Sequence, residues 1–373
     1  MILPLLLFFQ AAPPPPVEPS DEVIVVKATL PELQAAVDRC SRGGCTPRQD
    51  IVASIRLGEA QFRRGDYNRS RATLRSSLGR MKAFAAQEPI AVSQLHLAIA
   101  TVAAHHGEQR DLMRSTYDSA RILREHRPGT AQTLLAEMRV GDMLARVGRL
   151  YEASSQYAKV IGQADSASLR PIRDGARLRQ AWLSHLKRDD SGALAALNRL
   201  IAEGDAKAGV RLEAQVIAAR IARDRGDLKP MEALLNQMSA AGSTPEPRLI
   251  FSPPPPRPND PVPKDRLIQT VDTVTRSSDY IATRWVDVGF WIRPDGRVDS
   301  VEALRGSRTL DWSVPILLSI EKRRYAPIAE GQFRIERYTM TADFGTPIGS
   351  LIRRRAINPR FERLDLSVPP PAS

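Results

Sequence analysis

Any chemistry the chain performs should show first in its histidines, cysteines and carboxylates. The five histidines are His96, His105, His106, His126 and His185. His105 and His106 are neighbours, and adjacent side chains on a helix point in different directions, a poor geometry for sharing a metal. No G-x-S-x-G elbow, H-E-x-x-H pair, phosphate-cradling glycine loop or paired catalytic carboxylate stands out. Asp295 and Asp299 flank a turn, which accounts for the first through turn chemistry and the second through solvent exposure. The residues therefore point to a protein that binds and does not catalyse, with no cofactor and no metal. Cys40 and Cys45 are separated by Ser-Arg-Gly-Gly. In an oxidising compartment this spacing permits a small disulfide loop whose closure the glycine pair eases; in a reducing one both thiols stay free.

The elements that carry these residues begin with an internal repeat over residues 50–242. Gly65-Asp66-Tyr67, Gly148-Arg149-Leu150 and Gly226-Asp227-Leu228 mark three turns, and weaker copies turn at Gly107 and at Arg188-Asp189-Asp190. Positions 65, 107, 148, 188 and 226 lie 42, 41, 40 and 38 residues apart, which predicts about five helix-turn-helix units. Glycine suits the left-handed cap that ends a first helix. Small residues at Gly58, Gly141 and Ala219 let paired helices approach closely. The pattern resembles tetratricopeptide repeats (TPR), with a longer period than that family's. Such repeats stack into a curved solenoid, whose groove is the usual place for a protein or peptide ligand. Arg56, Arg63, Arg64, Arg177 and Arg179 would make that groove basic, or else lie on solvated helix faces.

A second folded part lies near the end of the chain. Val286, Val288, Phe290 and Ile292 alternate with Asp287, Gly289 and Trp291, which predicts a half-buried strand. Pro294-Asp295-Gly296 predicts a tight turn, and residues 297–304 a second strand. Residues 310–322 read as a short helix with Ser313 near its N-cap and Pro315 in its first turn, and residues 333–344 as a third strand. Val288-x-Phe290-x-Ile292, Asp295-Gly296-Arg297-Val298, Leu310-Asp311, Arg323-Arg324-Tyr325-x-Pro327 and Gly331 together resemble the C-terminal domain of TonB-type energy transducers, a β-β-α-β module of the Gram-negative periplasm. The resemblance implies that the last strand offers a free edge to an extended peptide of an outer-membrane TonB-dependent transporter or another envelope protein. The residues placed on that edge are Arg337, Tyr338, Thr339, Met340 and Thr341.

The expected fold class is α+β and multidomain: an N-terminal all-α TPR-like solenoid, a proline-rich linker and a C-terminal β-β-α-β TonB-C-like domain. Residues 1–9 are apolar and Gln10-Ala11-Ala12 are small or uncharged, so residues 1–12 read as a secretory signal, or as a tether where it is not cleaved. Residues 13–49 form a proline-rich spacer and the cysteine loop, with a short strand possible near residues 22–26. Nine prolines between 245 and 263 place a polyproline linker at 243–264, with helix and sheet both excluded there. The terminal domain occupies 265–347, opening on a short helix, and residues 348–373 a basic, proline-bearing tail. The net charge of +12 comes from scattered arginines without aromatic interleaving, which disfavours nucleic acid and suits an anionic cell-wall or membrane surface or an acidic partner. The function expected is that of a periplasmic adaptor, the repeats serving as a protein-interaction scaffold. The alternative is a structural scaffold of an envelope assembly, or a cell-wall-associated protein, without a role in transport.

Overall fold

The computed structural model describes residues 28–367 apart from 205–206, 241, 243–246, 254–282, 308–309, 347–350, 353 and 356–358. The signal segment, the spacer before residue 28, and most of the polyproline linker with the short helix after it lie outside the described residues.

Among the described residues eleven α-helices come first: α1 (Leu30–Ser41), α2 (Pro47–Arg63), α3 (Tyr67–Met81), α4 (Pro89–His106), α5 (Gln109–His126), α6 (Ala131–Arg146), α7 (Leu150–Ser166), α8 (Arg170–Leu186), α9 (Asp190–Ala202), α10 (Ala208–Asp224) and α11 (Lys229–Ala240). From α2 onward they form five stacked hairpins, the TPR-like arrangement that the spacing predicts. All five turn residues have positive φ, at Gly65, Gly107, Gly148, Arg188 and Gly226. In each turn the next amide donates to a carbonyl five residues back, as from Asp66 to Gln61, Glu108 to Ala103 and Asp189 to Ser184, closing the left-handed helix cap. A Cβ on Gly58 would lie 2.9 Å from the Leu74 side chain, and one on Gly141 2.4 Å from the Tyr157 ring. Small residues at these two positions are thus what lets each helix pair close.

The terminal part begins within the expected linker. β1 (Leu249–Phe251) forms between the prolines, which corrects the expectation that no sheet exists there: three residues without proline are enough for a short strand. β2 (Arg284–Ile292), β3 (Val298–Gly306), α12 (Val314–Glu321), β4 (Arg324–Tyr325), β5 (Gln332–Thr341), β6 (Phe344–Gly345), β7 (Arg354–Arg355) and β8 (Arg360–Asp365) follow. The main sheet is antiparallel with order β3-β2-β5-β8; β1 pairs with β4, and β6 with β7. Ser313 is the N-cap residue of α12 and Pro315 sits in its first turn. Val286, Val288, Phe290 and Ile292 pack with Ile316 and Ile320 of α12 into one apolar cluster.

The opposite face of β2 is not solvated. Residues 286–290 are all buried, so the strand is covered on both faces rather than one. The second cover is the helical repeat. Trp285 and Leu364 join the apolar cluster of α2–α5, while Ile250 and Ala326 join that of α10 and α11. The terminal part therefore packs on the repeat at two places, the main sheet on α2–α5 and the β1–β4 segment on α10 and α11, and the two halves form one packed body. α4, whose sequence is apolar nearly all round, is the helix this arrangement encloses, with α2, α3, α5 and β5 against it.

Candidate functional site

The strand proposed as a docking edge lies inside the sheet. β5 pairs with β2 along Arg284–Ile292 on one side, and with β8 from Glu336↔Asp365 to Thr341↔Arg360 on the other. Arg337, Tyr338, Thr339, Met340 and Thr341 are accordingly buried interior residues and offer no border to a visiting peptide. The strand that seals them comes from residues read as a basic tail. β8 is held by ion pairs, Arg334 with Asp365 and Arg146 of α6 with Glu362, and by Phe361 stacking on Trp312 at 5.9 Å.

Alternation along β5 divides its work between two faces. Tyr338 packs in the apolar cluster of α12, whereas Arg337, Thr339 and Thr341 face the repeat. Arg337 is the largest fully buried side chain among the described residues. Its Nε donates to Asp287 Oδ1 at 2.6 Å and its Nη2 to Asp287 Oδ2 at 2.9 Å, a two-pronged pair across neighbouring strands. Nη2 also donates to the Arg63 carbonyl at 2.6 Å, and Nη1 to the Phe62 carbonyl. These are end-of-helix carbonyls of α2, at the negative end of the helix dipole, and that of Phe62 also accepts from the Gly65 amide at 2.8 Å. The guanidinium also lies 4.0 Å from the Trp285 ring centroid. One residue thus pairs a strand aspartate, caps a helix and covers an indole.

Thr339 extends the junction. Its Oγ1 is 3.1 Å from the Tyr67 hydroxyl and 2.8 Å from His105 Nδ1. Burial, with Arg146, Arg337 and Arg360 nearby, pushes the His105 pKa down to about 3. The folded protein therefore keeps this imidazole neutral, while the unfolded chain takes up a proton near pH 6.5. The linked stability is complete above about pH 6.5 and is lost as pH falls toward 3, at up to about 1.4 kcal/mol per pH unit. Urea unfolding of wild type and His105→Asn between pH 7.5 and 4.5 should show the steeper acid-side slope in wild type only. Parallel slopes would remove His105 from the junction's pH response.

The arginines considered for a basic groove are largely engaged. Arg63 pairs with Glu59, Arg177 with Glu203 and Arg179 with Asp142, leaving Arg56 and Arg64 as exposed charges. The open surface of the repeat lies elsewhere, in grooves between successive second helices. One, of about 510 Å³, runs between α9, α10 and α11 over Leu194, Ala218, Ala222 and Leu234, with the amides of Gln215 and Gln237 beside them. Cys40 and Cys45 are joined as a disulfide that ties the end of α1 to the segment entering α2. Among the described residues no group of three or more histidines, cysteines and carboxylates is arranged to hold a metal ion, and no helix is long and apolar enough to cross a membrane.

Sequence reasoning missed the Arg337–Asp287 pair and the Tyr67–Thr339–His105 contact. The available signal was Asp287 itself, an acidic residue inside an otherwise strongly apolar strand.

No protein-family model matches the chain, and no curated protein matches it. Solved structures similar to it include BtubC (BKLC) from P. vanneervenii, at 14% identity and TM-score 0.45, covering 61% of this chain and 97% of that one. A Podosopora anserina protein with nearly identical TPR-like repeats gives 15% identity and TM-score 0.43, covering 52% and 95%. The apo form of RapI gives 12% identity and TM-score 0.44, covering 56% and 57%.

Proposed function

We propose that the chain is a non-enzymatic, protein-binding scaffold of the cell envelope. The observation that carries this reading is the way the sheet is fixed. Arg337 and its neighbours lock one sheet face to the turn edge of the repeat, so the grooves between second helices are the extended surface left for a partner. The α9–α11 groove combines an alanine- and leucine-lined floor with amide groups, a lining that suits a peptide segment. The strand-strand-helix-strand order of β2, β3, α12 and β5, with Asp295-Gly296 at its turn, supports a TonB-C-like reading of the terminal module. The Cys40–Cys45 bond supports an oxidising compartment, and hence the periplasm. An outer-membrane TonB-dependent transporter is one partner of this class. It would be met through the groove or outside β8, because β5 is already paired on both sides.

Site-specific photo-crosslinking in cells tests the proposal. A crosslinker at Gln237, in the groove, should give a discrete protein adduct in the envelope fraction, with Cys40 and Cys45 oxidised. The same group at exposed Lys82 should give none, and Ala222→Trp should remove the Gln237 adduct without moving the unfolding midpoint. Equal adducts from both positions, or none from Gln237, would defeat the reading.

A further inference from the structure

The face of the main sheet that meets the repeat is not covered along its whole length. Trp285, Arg337 and Thr339 on that face meet α2, the turn after it and α4. Past the Gly289–Ile335 rung, Trp291, Phe333 and Leu304 are 47%, 38% and 42% exposed. These three side chains form one patch. Trp291 and Phe333 lie opposite each other on neighbouring strands, with ring centroids 5.4 Å apart. A Cβ on Gly289 would lie 2.7 Å from the Phe333 ring and 3.0 Å from the Leu304 methyls, so both side chains fold over the glycine. Single exposed apolar residues need no explanation, but a contiguous group of large ones marks a docking surface.

The segment that arrives beside the patch belongs to the chain itself. β8 runs antiparallel to β5 and travels toward Phe333. Just after it, the Leu366 amide donates to the Ile335 carbonyl at 2.8 Å, and the Ser367 hydroxyl accepts from the Ile335 amide at 2.7 Å. The described chain thus leaves the sheet about 7 Å along β5 from Phe333, and two strand spacings, about 10 Å, across from Trp291. Residues 368–371, outside the described residues, are Val-Pro-Pro-Pro, and residues 368–373 carry no charge. The other proline run does not fit as well. It follows Ser252, which is held by Arg223 of α10, and it contains Arg257, Asp260 and Lys264.

We propose that residues 368–371 fold back over this patch with proline rings against Trp291 and Phe333, so that the terminal sheet carries a proline-recognition platform occupied by the chain's own tail. Aromatic surfaces take proline segments readily because the polyproline conformation is already extended and loses little entropy on docking. Four such residues span about 12 Å, which matches the path from the Ile335 rung to the Trp291 ring. The inference makes no use of the α9–α11 groove, and either reading can fail alone.

Fluorine NMR of the full chain grown with 5-fluorotryptophan tests it. The Trp291 resonance is the one missing from Trp291→Phe. In Pro369→Asp/Pro370→Asp/Pro371→Asp that resonance should move, and its solvent isotope shift in D2O should rise toward that of an exposed indole, while the other tryptophan signals stay in place. Photo-crosslinking then separates the occupants. A benzophenone side chain at Pro370 should give an adduct within one chain, on residues 285–297 or 325–334, the tryptic peptides that hold Trp291 and Phe333. Trp291→Ser/Phe333→Ser, at two exposed positions, should remove that adduct and leave the urea midpoint near wild type. A Trp291 signal indifferent to the three aspartates, or an adduct that joins two chains or falls elsewhere, would overturn the assignment.

Discussion

Arg337→Met is expected to lower the stability of the chain by about 3–5 kcal/mol, the usual range for breaking a buried ion pair on one side. The substitution removes the two-pronged partner of Asp287 and leaves the Phe62 and Arg63 carbonyls without their side-chain donor. Asp287 keeps one partner, because Arg305 Nε donates to its Oδ2 at 2.8 Å, which places the loss toward the lower end. Arg337→Lys should fall between wild type and methionine, since lysine retains the charge but has no planar fork to serve an aspartate and two carbonyls together. Arg337→Met/Asp287→Leu should recover at least half of the loss, because no charge is then left buried and unmatched. The measurement is urea unfolding in a Trp182→Phe background, which leaves tryptophans in the terminal half alone, followed by two probes, helix content for the repeat and tryptophan emission for the sheet with Trp285 beside the guanidinium. In wild type the curves should coincide, and in Arg337→Met they should separate as the sheet lets go first. Coincident curves with an unchanged midpoint would show that the buried pair does not hold the halves together.

Local pattern was legible in the sequence; pairing at a distance was not. The five repeat turns were visible from spacing alone, even at Arg188, where no glycine marks the left-handed residue. The apolar alternation of β2 and the late start of α12 at Ser313 were equally readable, because each depends on residues within a turn or two. Asp287 reads locally as the solvent side of its strand. It is buried because a cation fifty residues later, and the end of a helix far earlier in the chain, arrive at the same point. β8 failed for a related reason. Arg360-Phe361-Glu362-Arg363-Leu364-Asp365 looks like a charged tail, and its register comes from Arg334, Glu336 and Arg146, none of which is near it in sequence. The same blindness made Thr339 an edge residue: a free border is defined by the absence of a neighbour, and no local motif announces one.

The turn glycines allow the docked sheet to be weighed against the turns themselves. Gly107→Ala should cost about 2–5 kcal/mol, combining about 1–2 for a left-handed non-glycine residue with about 1–3 for overpacking. Gly148→Ala should cost only the left-handed strain, about 1–2 kcal/mol. Both glycines have nearly the same backbone, φ +86° and +81°, and both close a first helix of the repeat. They differ in what faces them. A Cβ on Gly107 would lie 2.2 Å from the Ala342 carbonyl oxygen, whereas nothing lies within 4 Å of one on Gly148. The obstacle is main chain and cannot rotate away, and the Gly107 carbonyl itself accepts from the Phe344 amide at 3.1 Å, so the turn and the end of β5 are fixed to each other. Gly65 is the intermediate case. Its Cβ would meet the Trp285 indole, a side chain that can swing aside, so Gly65→Ala should fall between the other two and disturb Trp285 emission most directly. Because intrinsic turn strain is common to the series, the difference between Gly107→Ala and Gly148→Ala isolates the docking of the sheet. Equal losses at the two positions would mean that the turns bear only their own strain and that the sheet does not rest on them.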